Sequence, residues 1–194
     1  MTALPRPIQE RFYQTITGDR SVEDFEQWVY ADSELEMLLK PDDYVDLISL
    51  NYKTREATYE LSCLLKKHID LGTLETDKML GRLREAQQKT ERFPCLFSGL
   101  YNLYDKGGYI FIAEVVHCYY LLEAFPESYN AITNEWKDLT QLQRTTVVES
   151  FSPNLETELE WVIARLEKGK IQLSGERDAW GQYGYIDLRD PSEC

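Results

Sequence analysis

The sequence predicts a mainly α protein, a single-domain multi-helix bundle closed by a short C-terminal two-stranded β-hairpin. Three observations carry this. Apolar residues recur at spacings of three and four through most of the chain, which places them on one face of successive helices. Proline, glycine and small polar residues punctuate the ends of those stretches. Past Gly169 the pattern switches to alternation, the period of a strand. The 194 residues contain no internal repeat, low-complexity stretch or Gly/Pro/Ser-rich linker, so one domain spanning 1–194 is expected. A chain of this size buries about 70% of its unfolded surface, enough for a core without a metal or a disulfide.

Pro5 and Pro7 open the first helix, with Ile8, Phe12 and Ile16 on one face and Gly18 closing it. Ser21 followed by Asp24 reads as an N-cap with an acid in the first turn, and the next helix buries Phe25, Trp28 and Val29. Ser33 with Glu36 reads as a capping box for a short helix through Leu35, Leu38 and Leu39. Beyond Pro41, an apolar face comprises Tyr44, Leu47, Ile48 and Tyr52. From Arg55 to Ile69 the stripe is Leu61, Leu64, Leu65 and Ile69, with Gly72 as the stop signal. Residues 75–90 form a charged helix around Leu80 and Leu83. After Pro94, the segment Cys95–Tyr104 turns Leu96, Leu100 and Leu103 inward. Gly107-Gly108 is the clearest break. Tyr109–Phe125 is apolar nearly all round and reads as the central helix, ended by Pro126. Helices follow near 128–149. Ser152-Pro153 then supplies an N-cap with proline at the first helical position, and Leu155, Leu159, Val162, Ile163 and Leu166 form the buried stripe up to Gly169. Lys170–Ser174 and Tyr183–Leu188 alternate and flank a turn-rich Gly175–Gly181, giving the hairpin at about 170–188. A lone hairpin is marginal in water, so it must pack on helices.

Charge narrows the function. Twenty-one bases against 34 acids give −13, which argues against a nucleic-acid-binding face and against docking on an anionic membrane. No apolar run is long enough to span a bilayer, and Met1–Glu10 has no apolar signal-peptide region, so the expected location is the cytoplasm. Cys63, Cys95, Cys118 and Cys194 are widely spaced and are expected as reduced thiols; three of them sit in apolar contexts and read as small core residues. Residues 21–50 hold nine acids and one base, a local charge of −8, whereas residues 51–100 are net +2.

The chemical motifs are thin. Glu114 and His117 have the Glu-x-x-His spacing of a di-iron bundle, but His68 has no acid three residues before it to complete the pair. The alternative for His117 is burial with a hydrogen bond to Glu114 or backbone. A zinc set drawn from Cys63, Cys118, His68 and His117 lacks the short ligand spacings such sites use. No phosphate-binding glycine loop or strained nucleophile turn is present. No metal, cofactor or catalytic residue is therefore assigned. Thirteen tyrosines, many beside acids or turns, suit a recognition surface. The candidate partner-binding set is Glu23, Glu26, Asp42, Asp43 and Asp46, with Tyr30 or Tyr44 as aromatic anchor; Trp28 and Leu47 belong to the core.

The segment FEQWVYADSELEMLLKPDDYVDLISLNY (Phe25–Tyr52) resembles a group of small bacterial proteins with the pattern Phe-Glu-x-Trp-x-Tyr, Leu-Glu, then Tyr-x-x-Leu-Ile-Ser. LYNLYDKGGYIFI (Leu100–Ile112) resembles their later Leu-Tyr-x-Leu-Tyr…Gly-Tyr motif, although Lys106-Gly107-Gly108 departs from it. The two segments cover about a quarter of the chain. The resemblance implies an immunity partner of a secreted bacterial toxin and carries over no catalytic residue. The reading is a non-enzymatic acidic protein that blocks the cleft of a basic, nuclease-type toxin, with its oligomeric state open. The alternatives are a small cytoplasmic enzyme with a carboxylate or Cys/His site, or a regulatory subunit.

Overall fold

The structure, a computed structural model, describes residues 4–117, 136–150 and 154–190. It is mainly α with a short C-terminal antiparallel hairpin, as the sequence predicts. The chain divides into two compact units, Met1–Leu74 and Glu75–Cys194, at a point that no linker-like composition marks.

In the first unit, α1 (Arg6–Thr17) starts behind Pro5 and ends at Gly18. Helix α2 (Val22–Ala31) is capped by Ser21, whose hydroxyl accepts the Asp24 N–H at 3.0 Å. The cap expected from Ser33 belongs instead to Asp32. Its carboxylate accepts the N–H groups of Glu34 (2.9 Å) and Leu35 (3.3 Å) ahead of α3 (Leu35–Leu38). An aspartate one residue earlier reaches the same orphan donors. Helix α4 (Pro41–Ser49) has proline in its first turn. Tyr52 is not on its face but beyond its end, buried, with its hydroxyl donating to Leu47 O at 2.8 Å. Helix α5 (Ala57–Lys66) packs on α1 and α4. Phe12, Phe25, Val29, Leu35, Leu47, Leu61 and Leu65 form the core, with the Phe12 ring edge-on to Phe25 (5.8 Å) and Trp28 (6.1 Å).

Gly72 does not stop a helix. It lies inside α6 (Leu71–Gln87), and the break falls before it. Asp70 caps α6 by accepting the N–H (3.0 Å) and hydroxyl (2.8 Å) of Thr73, and these bonds hold its carboxyl below the ordinary carboxylate range. A satisfied N-terminus places the helix start even with a glycine one residue inside it.

In the second unit, α7 (Phe93–Asp105) leads into Gly107-Gly108. A Cβ at Gly107 would sit 2.5 Å from Leu103 O, and Gly108 has a φ of 77°, so both positions demand glycine. Tyr109 does not begin the central helix. Ile110–Ile112 form a 3-10 turn, and residues 113–117 are helical. Nor is the described part buried all round: Tyr109, Phe111, Ile112, Val115 and Val116 are buried, while Ile110, Glu114 and His117 are exposed. Cys118, Phe125, Pro126 and the segment up to 135 lie outside the described residues.

A second 3-10 turn, Trp136–Asp138, stacks Trp136 on Phe93 at 4.9 Å. Helix α8 (Gln141–Glu149) carries a full capping box between Thr140 and Gln143. Helix α9 (Leu155–Glu167) is capped by Asn154, which accepts the Thr157 N–H at 3.1 Å; the expected start at Ser152-Pro153 lies outside the described residues. Strands β1 (Ile171–Arg177) and β2 (Tyr183–Asp187) pair with Leu173 opposite Tyr185, and a bulge falls between Leu173 and Arg177. Ile171 and Leu173 insert into the second core, and β1 packs on α9. Among the described residues no helix is long and apolar enough to cross a membrane.

Candidate acidic binding surface

The candidate residues lie on two touching helices of the first unit. On α2, Phe25 and Val29 are buried, so helical phase turns Glu23, Glu26 and Tyr30, spaced by three and four, away from the core. Glu23 is exposed and Glu26 half-buried. On α4, Leu47 is the buried residue, and the stripe Asp42, Val45, Asp46 is exposed. Glu23 and Asp24, like Asp42 and Asp43, occupy first turns, where carboxylates also favour the positive helix end.

Tyr30 is 59% exposed, yet its hydroxyl donates to Ile48 O at 3.1 Å. That carbonyl is one of the last four of α4, which have no partner within the helix. The buried Tyr52 hydroxyl serves Leu47 O beside it. Burial pushes the Tyr52 phenol up, reinforced by Tyr30 and Glu26, so the three lie within electrostatic reach of one another. Tyr30 is thus an aromatic ring fixed at its far end, with its face in water and acids on both flanking helices. Tyr44, the other expected anchor, is half-buried against the first core. Leu47 is fully buried, and Trp28 packs on the same core with the Arg11 guanidinium 4.6 Å from its ring centre.

Asp43 differs from its neighbours. Its carboxylate lies 3.7 Å from His68 Nε2 at the end of α5, and the His68 ring meets the edge of Phe12 at 6.4 Å. Burial pulls the imidazole below its ordinary value; Asp43 opposes this, and Lys67 and Lys40 add to it. Asp43 therefore has a structural partner, whereas Asp42 and Asp46 face solvent.

Several expected features change. Glu114 and His117 are both exposed, so the buried reading of His117 is corrected. Cys63 and Cys95 are exposed rather than in the core, because Leu61 and Leu65 on α5, and Phe93, Leu96, Phe97 and Leu100 on α7, take the inward phase. Cys118 and Cys194 lie outside the described residues. Among the described residues, no group of three or more His, Cys, Asp or Glu side chains could hold a metal ion.

Sequence reasoning missed three exposed apolar side chains among these acids in the first unit, Met37 (77%), Val45 (51%) and Leu38 (39%), and separately, on the hairpin of the second unit, Trp180 (88%). The signal for Met37 was available, since Leu35 and Leu39 fix the phase of the short α3 and leave position 37 outward. Searches of protein-family models, curated proteins and solved structures with this chain returned no match.

Proposed function

We propose that this chain is a non-enzymatic binding protein for a basic protein partner, and specifically an immunity protein that works in the cytoplasm by occupying the active-site cleft of a nuclease-type bacterial toxin. The observation that supports this most directly is Tyr30, a largely exposed ring pinned through Ile48 O between acid-bearing helices. A nuclease must present a basic, phosphate-binding cleft. The −8 charge of residues 21–50 steers such a cleft into contact, and an aromatic side chain that has already lost its rotational freedom supplies contact area once it arrives.

The test is association kinetics with the basic toxin domain encoded by the gene beside this one. Converting Asp42, Asp43 and Asp46 together to asparagine slows association about tenfold at low salt and flattens its salt dependence. Identical rates and identical salt slopes for wild type and variant overturn the assignment of this face. A neighbouring gene that encodes no basic secreted domain overturns the immunity reading.

A further inference from the structure

The hairpin turn exposes an indole that the fold itself does not use. Asp178 organises the turn: its carboxylate Oδ1 accepts the N–H groups of Trp180 (2.8 Å) and Gln182 (2.9 Å). Its own N–H donates to Gln182 O at 2.8 Å, and the Gly181 N–H donates to Asp178 O at 3.0 Å. Gly181, with φ 83°, takes the left-handed position. Of these four bonds one takes the backbone N–H of Trp180 and none takes its indole, and the residue is 88% exposed. Any residue with an N–H could occupy position 180.

The base of the turn is fixed as firmly. The Tyr183 N–H donates to Gly107 O at 2.8 Å, and its ring stacks on the fully buried Tyr109 at 5.3 Å. Arg177 lies over the Tyr183 ring at 4.4 Å and donates to its hydroxyl. The strands thus turn Tyr183 and Tyr185 onto Tyr109 and Phe111, and Trp180 projects from a braced support. Ile186 (58%), on the strand face opposite the tyrosines, and Leu188 (51%), just past β2, are exposed as well.

The charge around the indole selects its partner. Residues 171–190 carry four acids and two arginines. The segment is therefore net −2: Arg189 pairs with Asp187 and lies over Trp161, whereas Arg177, bonded to the neutral Tyr183 hydroxyl, keeps its charge. We propose that the Asp178–Gln182 turn is a preformed docking finger whose Trp180 indole enters an apolar, basic-rimmed pocket on the protein partner. The proposal rests on the reading of the chain as a binder of a basic protein, and adds a contact in the second unit. Tryptophan combines about 150–250 Å² of buriable surface with few rotatable bonds, which is why it dominates binding hot spots.

The experiment measures dissociation of wild type, Trp180→Ala and Trp180→Phe from the same neighbour-encoded toxin domain, with circular dichroism and melting temperature as controls. All three should fold and melt alike, because the ring makes little contact with the fold. Trp180→Ala should dissociate tenfold or more faster at an unchanged association rate, and Trp180→Phe should recover much of the loss. Binding that is indifferent to both substitutions overturns the finger and leaves the acidic-face reading standing. No binding by wild type overturns both. Partition of wild type, but not Trp180→Ala, onto neutral phosphatidylcholine vesicles assigns the finger to a membrane surface and overturns the protein pocket. Concentration-dependent self-association lost in Trp180→Ala assigns it to a second copy of the chain, with the same consequence.

Discussion

In the first unit Tyr30 keeps its ring in water while its hydroxyl satisfies the end of α4. In the second, Tyr183 and Tyr185 turn their rings onto Tyr109 and Phe111, and the hairpin's most exposed ring belongs to Trp180. All these residues sit near acids or turns in the sequence. What separates them is the element beneath: a helix terminus offers an unpaired carbonyl to a hydroxyl reaching across, whereas a strand offers a face every second residue. The interiors differ in the same way. The first core is built on edge-to-face contacts of Phe12, and every hydroxyl described for its tyrosines at the end of α4 is bonded. The second buries Tyr109 completely, with a hydroxyl that has no hydrogen-bond partner among the described residues. Burial pushes that phenol up, reinforced by the nearby Glu75 and Tyr183.

The largest expected effect comes from Phe12→Ala. It removes a fully buried ring with three aromatic neighbours and should cost about 3–5 kcal/mol of stability, read by chemical denaturation. A loss below about 1 kcal/mol would show that the first core collapses around the gap.

Tyr109→Phe sharpens the contrast with Tyr52→Phe. Removing a buried hydroxyl unpaired among the described residues should stabilise the protein by about 1 kcal/mol, whereas removing the Tyr52 hydroxyl leaves Leu47 O without that donor and should destabilise by about the same amount. Shifts of the same sign in both variants would break the comparison. Asp70→Ala, which strips the α6 cap, should also cost about 1 kcal/mol, checked by the same denaturation curve.

A smaller effect follows from His68. Its folded pKa lies below its ordinary value of 6.5, so the unfolded chain binds more protons as pH falls through that value. The contribution of the neutral imidazole is therefore present above pH 6.5, and it declines below 6.5 until the folded state is also protonated. Denaturation midpoints across that window should fall with pH in wild type and fall less in His68→Gln; parallel profiles would remove His68 from the account. Tyr30→Phe should change stability least, by about 0.5 kcal/mol or less, because its hydroxyl is at the surface.

Much of the fold was legible locally. Phe12, Phe25, Leu47, Leu61, Leu65, Leu159 and Val162 announce their burial by helical spacing, and Ile171 with Leu173 announce the strand by alternation. Asp70 with Thr73 and Thr140 with Gln143 are capping patterns of the same local kind, although Gly72 beside the first has the composition of a helix stop. The charge of residues 21–50 was equally plain, since net charge needs no structure.

What the sequence determined by itself is therefore periodicity, punctuation and charge: quantities set by covalent order and by the repeat of helix and strand. The tertiary structure decided which of several equivalent local choices survived. It held Asp43 against His68, joined the Tyr30 hydroxyl to Ile48 O, and sent Tyr183 inward but Trp180 outward. Each outcome depends on residues distant in sequence or on the phase of a particular helix or strand. Those contacts exist only once the chain has closed on itself, and no local pattern carries them.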